Sequence, residues 1–152
     1  MGYETIDELE HFQFREVHIS EIRQITNSSF YAILDNVTIL ETNSCNRDIF
    51  DMRTNNLTLR IEEGQIVSFV EEGYKIFDAN EILMQEVADR ILPPEEYNAM
   101  LKDMTDATLY SIKKDGTRYI FDIDACDHTY TLVVEGSHDT EEWNRFLKKE
   151  DL

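Results

Sequence analysis

A β-rich α+β domain is the fold class the sequence predicts, mainly antiparallel, arranged as a sandwich or partly closed barrel with two or three peripheral helices. Three observations predict it. Apolar residues recur at period two in about eight or nine short segments, the spacing of strands that bury one side. Turn-forming pairs such as Glu63-Gly64 and Asp115-Gly116 separate those segments tightly. Strands and helices do not alternate, which argues against a parallel sheet. The 152 residues match one domain of ordinary size. A hydrophobic content of 41% supplies a core without metal or disulfide staples.

Taken in order, the chain first predicts a short amphipathic helix: Thr5 and Glu8 have capping-box spacing, and Ile6 and Leu9 share a helical face. The period then changes. Phe12 and Phe14 alternate, Val17 and Ile19 alternate one step out of phase, and the slip at Arg15-Glu16 marks a bulge or bend. Asn27-Ser28-Ser29 is a turn, and residues 30–40 form an extended segment with a local kink at Asp35-Asn36. Residues 42–56 are polar and read as a loop around the apolar pair Ile49-Phe50.

Leu57, Leu59 and Ile61 alternate with Thr58 and Arg60, Glu63-Gly64 turns, and residues 66–70 return, which reads as the clearest hairpin of the chain. Glu71-Glu72-Gly73 turns into a strand over residues 74–77, while residues 81–87 fit a strand or a short helix. Pro93-Pro94 opens a helix over residues 94–104, where Tyr97, Met100, Leu101 and Met104 recur at helical spacing. Strands follow over residues 108–113, 118–124 and 129–135. The middle one sends Tyr119, Phe121 and Ile123 to one side and Arg118, Asp122 and Asp124 to the other. A closing helix is expected, capped by Asp139 and Glu142, with Trp143, Phe146 and Leu147 as its stripe and Lys148 and Lys149 favouring its dipole.

The 32 acidic and 14 basic side chains leave a formal charge of −18, spread as −8 over residues 1–76 and −10 over residues 77–152. A body of that sign repels phosphate, so nucleic acid and anionic lipid are poor partners and a basic protein is a favoured one. No run approaches the roughly 20 apolar residues of a membrane helix. Cys45 and Cys126 are too few and too far apart for a disulfide scaffold, and the first residues lack the basic and apolar regions of a secretion signal. The expectation is a cytoplasmic protein with reduced thiols.

The densest polar cluster is Asp122-Ile123-Asp124-Ala125-Cys126-Asp127-His128. It lacks the glycine and distal glutamate of a calcium loop and reads as the wet side of a strand entering a turn. His11, His18, His128 and His138 are scattered without zinc-ligand spacing, and Cys45 has Arg47 as its local cation. No nucleophile elbow, phosphate loop or dinucleotide fingerprint is present. The pairs Glu62-Glu63, Glu71-Glu72, Glu95-Glu96 and Glu141-Glu142 read as solvated corners. The expectation is no catalytic residue, no metal and no cofactor.

Phe14-Arg15-Glu16-Val17-His18-Ile19-Ser20-Glu21-Ile22 resembles the strand that opens several families of small bacterial toxin-immunity proteins, with Arg15-Glu16 standing where those carry a His-Asp or similar pair. The resemblance implies an intracellular protein that neutralises a toxin by binding it. Together with the acidity it yields the leading expectation: a non-enzymatic inhibitor or immunity protein that occludes a basic partner such as a nuclease toxin. Asp122, Asp124 and Asp127 would supply charge, and Tyr110 and Tyr119 aromatic anchors. The other classes are a small-ligand-binding β-barrel lined by inward aromatics, a carboxylate-based hydrolase and a purely structural or self-assembling subunit.

Overall fold

The computed structural model describes residues 2–25 and 29–148. β1 (Tyr3–Ile6) leads through a 3₁₀ turn at Leu9–His11 to β2 (Phe12–Gln13), β3 (Val17–Ile25), β4 (Ser29–Asp35) and β5 (Val37–Ile39). Next come β6 (Met52–Thr54), β7 (Leu57–Glu62), β8 (Gln65–Glu71), β9 (Tyr74–Phe77), β10 (Leu83–Val87) and β11 (Arg90–Ile91). A second 3₁₀ turn, Pro94–Glu96, runs into α1 (Tyr97–Asp103), followed by β12 (Thr108–Asp115), β13 (Arg118–Ala125), β14 (His128–Glu135) and β15 (His138–Trp143).

Ten strands form one sheet in the order β1-β15-β7-β4-β3-β12-β13-β14-β8-β11, antiparallel at every step. Strands β2-β5-β6 and β9-β10 make two smaller sheets. The expected antiparallel, β-rich character is present. The large sheet ends at β1 and β11 without closing into a barrel, and α1 is the one α-helix among the described residues, where two or three were expected. Of the turn expected at Asn27-Ser28-Ser29, only Ser29 lies within the described residues, where it opens β4.

The clearest expected hairpin is not one. β7 and β8 are joined by Glu63-Gly64 yet stand third and ninth in the sheet. Glu63 takes a left-handed φ of 55°, and the turn carries the chain from one half of the sheet across to the other. Gly136-Ser137 does the same between β14 and β15. The sheet therefore folds back on itself, with Phe30 of β4 against Phe121 of β13 at 5.7 Å between ring centroids. Both halves feed one core that includes Leu34, Leu57, Leu59, Ile61, Phe69, Ile123 and Leu132. Full burial of each such side chain stabilises by about 1.5–3 kcal/mol. The two crossings touch. A Cβ on Gly136 would stand 2.3 Å from Ile61 Cγ2 and 2.9 Å from the Glu62 carbonyl oxygen.

Two expected helices are strands. The first residues form β1, which pairs with β15, and the 3₁₀ turn after it carries no side-chain cap. Pairing across the chain outcompetes the local capping signal: Thr5 turns inward to Glu141, and the Leu9 amide donates to Asp139 at 3.1 Å. At the other end Asp139, Glu141 and Trp143 alternate inward along β15, so a period of two is masked by acids at the buried positions. Trp143 does meet Phe146, and also Tyr3 and Phe12, but from an extended chain. Glu141, expected at a solvated corner, is fully buried. The helix expected over residues 94–104 is present, with Leu101 and Met104 in the core. The loop between β5 and β6 is organised by buried Asn46, whose amide donates to the carbonyls of Ile39, Leu40 and Phe50, while Ile49 and Phe50 face solvent.

Both expected bends are real. Glu16 and Asn36 adopt φ values of 55° and 65°, and they divide one long hairpin into β3-β4 in the large sheet and β2-β5 in the small one.

Asp139 and Glu141 form a buried carboxylate pair. Asp139 accepts from the Tyr119 hydroxyl at 2.8 Å and the Leu9 amide at 3.1 Å, with Lys114 Nζ at 3.5 Å. Burial pushes the Asp139 carboxyl up, but hydrogen bonds from Glu141 and Tyr119 and the Lys114 ammonium outweigh it and hold the group below its ordinary range. Glu141 accepts from Thr5 at 2.9 Å. Burial first, and Asp139 second, push Glu141 up to about 10, so it is a neutral acid beside an ionised one.

Two outcomes follow for stability. Gly136→Ala should lower the denaturant midpoint by about 2 kcal/mol of stability at unchanged slope, since neither crossing has room for a methyl group. Unfolded Glu141 releases its proton near 4.5 and folded Glu141 near 10, so between those values the unfolded chain binds fewer protons and stability falls as pH rises. Glu141→Gln removes that loss. Its melting temperature should exceed that of the native chain by several degrees at pH 8 and by less at pH 5; an equal difference at both would contradict the neutral-acid assignment.

Candidate functional site

The outward side of the sheet carries an ordered row of carboxylates. Cys126 and Asp127, with φ of 53° and 64°, make the two-residue turn between β13 and β14. That turn sets Asp124 opposite Thr129 and Asp122 opposite Thr131. Thr129 donates to Asp124 at 2.8 Å, and Thr131 to Glu72 at 3.0 Å. From β12, Ser111 donates to Asp122 at 3.1 Å. Further along, Ser20 of β3 donates to Asp35 of β4 at 2.7 Å. Asp35, Asp122, Asp124 and Glu72 are thus each oriented by a neighbouring hydroxyl, which fixes a carboxylate without cancelling its charge.

The row crosses five strands. Asp35 pairs with His18, His18 with Thr108, Thr108 with Asp124 and Asp124 with Thr129. His18 lies between two acids: Nδ1 is 3.1 Å from Asp35 and Nε2 is 2.9 Å from Asp106. With a carboxylate at each nitrogen, both must donate, which is the imidazolium form. The hydrogen bonds it donates to Asp35, first, and to Asp106 hold its pKa above the ordinary imidazole value, against a smaller opposing effect of burial. Asp35 is pushed up by burial, but the Asn56 amide, the Ser20 hydroxyl and His18 outweigh this and leave it below the usual carboxylate range.

The structure brings most of the expected site residues together. Asp122 and Asp124 lie side by side on this face, Asp127 is exposed in the adjoining turn, and Tyr110 is 44% exposed on β12 at a bulge opposite β13. Tyr119 is not among them. It lies in the core with its hydroxyl on Asp139, so it offers a partner no surface. Among the described residues no group of three or more His, Cys, Asp or Glu side chains is placed to hold a metal ion.

Four residues join the row from outside the expected site: Glu72, which the sequence reads as a solvated corner, Asp35, which it reads as a kink, His18, which it reads as a scattered histidine, and Asp106. The sequence carries a signal for the Asp124-Thr129 brace, because Asp122-x-Asp124 and Thr129-x-Thr131 flank a two-residue turn whose register sets them opposite each other, but none for Glu72, whose partner Thr131 is 59 residues away. Glu72 also marks the root of the β9-β10 ribbon, where its amide donates to the Thr129 carbonyl at 2.8 Å. The Gly73 amide donates to Asp89 at 2.7 Å, and a Cβ on Gly73 would stand 1.9 Å from the Val87 carbonyl oxygen. The ribbon thus leaves the sheet at a crossing only glycine permits, with Glu72 and Asp89 at its root and Asp124 next to them through the Thr129 that also meets Glu72. No protein-family model, no curated protein and no solved structure matches the chain.

His18 supplies a direct check on this geometry. A histidine whose folded pKa is raised stabilises fully below its unfolded value of 6.5, and the contribution is lost as pH rises through the folded value. The imidazole signals of His18 in an NMR titration should therefore shift with a midpoint above 6.5, and Asp35→Asn and Asp106→Asn should each move it down. A midpoint unmoved by both substitutions would contradict the two-acid clamp.

Proposed function

We propose that the chain is a non-enzymatic binding protein that docks its acidic sheet face onto a basic protein partner, in the manner of an inhibitor or immunity protein. The observation that carries this reading is the hydroxyl-braced carboxylate row. Most surface acids sit on freely turning side chains and lose entropy when a partner orders them. Asp35, Asp122, Asp124 and Glu72 are already held by hydroxyls, so a lattice of cationic side chains meets a surface that is ordered beforehand.

The overall charge of −18 supports the encounter step. A field of that size draws a basic protein in and raises its association rate, most of all at low salt. Tyr110, exposed beside the row, supplies the aromatic anchor that such contacts use. Covering a cationic groove then denies it to the groove's own substrate, which accounts for inhibition without chemistry on this chain. An intracellular neutraliser of a nuclease-type toxin is the concrete form of this reading.

Capture from the native lysate at low salt identifies the partner, and stopped-flow mixing with that partner provides the test. The association rate should fall about tenfold from low to high salt, and the double substitution Asp122→Asn, Asp124→Asn should slow it and flatten its salt dependence. The melting temperature should move little, because Asp124 is exposed and the half-buried Asp122 keeps an acceptor oxygen for Ser111 as Asn. An association rate indifferent to salt and to both substitutions would sink the proposal.

A further inference from the structure

The β9-β10 ribbon is exposed along its whole length on both strands. Tyr74, Ile76, Phe77, Ile82, Leu83, Met84 and Val87 are each 38% to 66% exposed, on both faces of the ribbon. An isolated two-stranded ribbon is marginal in water, and a soluble monomer seldom leaves a continuous apolar patch of this size uncovered. We infer that β9-β10 is a dimerisation arm, covered by the arm of a second copy of this chain.

Charge selects that occupant. Within the two strands the charged residues are Lys75 and Glu86, which already pair at 3.7 Å, so the shaft is neutral on a body of −18. A cationic surface finds no complement on a neutral apolar shaft, whereas an identical shaft does. Area sets the strength. At roughly 100 Å² of exposed surface apiece, the seven side chains carry on the order of 700 Å² per copy, split between two faces, so a contact along β9 buries less than the roughly 800 Å² per partner of a standard interface and fits a concentration-dependent dimer. Reach removes the objection that two acidic bodies repel. Four ladder residues and a turn extend about 15–20 Å at roughly 3.3 Å per residue, beyond the Debye length of about 8 Å at physiological salt.

The edge is also defined. A bulge at Met84 interrupts β10, while the outer edge of β9 is regular. Antiparallel pairing of two β9 strands about a two-fold axis beside Ile76 sets the two Ile76 side chains opposite each other. Phe77 then lies across the aliphatic stem of Lys75, and no like charges face one another.

Sedimentation of the full chain over a wide concentration range tests the arm. The expected result is a monomer–dimer equilibrium whose association constant rises severalfold from low to high salt, because screening relieves the repulsion between like bodies. This is opposite in sign to docking on a basic partner. Ile76→Asp and Phe77→Asp, both at exposed positions, should each weaken dimerisation by about tenfold or more with unchanged circular dichroism and melting. Asp122→Asn with Asp124→Asn should leave the dimer intact, which keeps failure of the arm distinct from failure of the acidic face. A chain that is monomeric at every concentration and salt overturns the inference, and so does a dimer indifferent to the ribbon substitutions. A monomer that loses capture of a basic protein on Ile76→Asp overturns it in favour of a heterologous contact.

Discussion

Asp139 is the constraint on which this architecture depends. An ionised carboxylate in a core costs several kcal/mol unless its lone pairs are met by donors. Its donors are the hydroxyl of Tyr119 on β13 and the amide of Leu9, with the Lys114 ammonium of β12 alongside. These come from the N-terminal segment, the β12-β13 hairpin and β15, so meeting them brings both halves of the folded-back sheet to one point. Glu141, two residues on and equally buried, is tolerated only as a neutral acid. The apolar core supplies the greater part of the stability, and Asp139 supplies much of the uniqueness, since an apolar residue there would accept many neighbours.

The same constraint explains what was legible in the sequence. Contacts between chain neighbours were: the β12-β13 hairpin at Asp115-Gly116, the helix after Pro93-Pro94, and the bends at Arg15-Glu16 and Asp35-Asn36 all follow from turn chemistry and local period. β15 was not, because Asp139 and Glu141 occupy positions where a strand pattern calls for apolar residues, and acids near a possible cap imitate a helix start. β1 was missed for the related reason that Thr5 and Glu8 satisfy a local rule while Thr5 bonds to Glu141, 136 residues away, and Glu8 accepts from the Ser44 amide, 36 residues away. The β7-β8 turn was read correctly as a turn and wrongly as a hairpin. A two-residue connection states that the chain reverses, and nothing in it states whether the strands pair or part.

The acidic face shows the same division. Asp122, Asp124 and Asp127 were readable because alternation and a turn signal place them on one wet side. Asp35, His18 and Asp106 belong to the same row only because β3 pairs with β12, a contact between segments some 90 residues apart. Tyr119 and Tyr110 differ by which side of a strand they occupy. Tyr119 shares the phase of Phe121 and Ile123, and that phase alone placed it inside.

One device recurs across the molecule. Long hairpins are bent at single positions: Glu16 and Asn36, in left-handed backbone, send one into two sheets, and Gly73, where a Cβ would strike the Val87 carbonyl oxygen, sends β8-β11 out into the β9-β10 ribbon. Bending the second hairpin separates two chemistries. The sheet keeps the carboxylates, which act over distance and weaken with salt, while the ribbon carries neutral apolar surface, which acts on contact and does not. The acids gathered at the ribbon root also limit where an apolar edge can extend, because a strand adding beyond the ribbon toward the sheet meets Glu72, Asp89 and Asp124. Charged residues flanking an exposed edge are the usual means of preventing open-ended association. A chain with a charge of −18 can therefore carry an apolar arm for a second copy to cover, provided that the arm is short, is neutral along its shaft and stops at acidic residues.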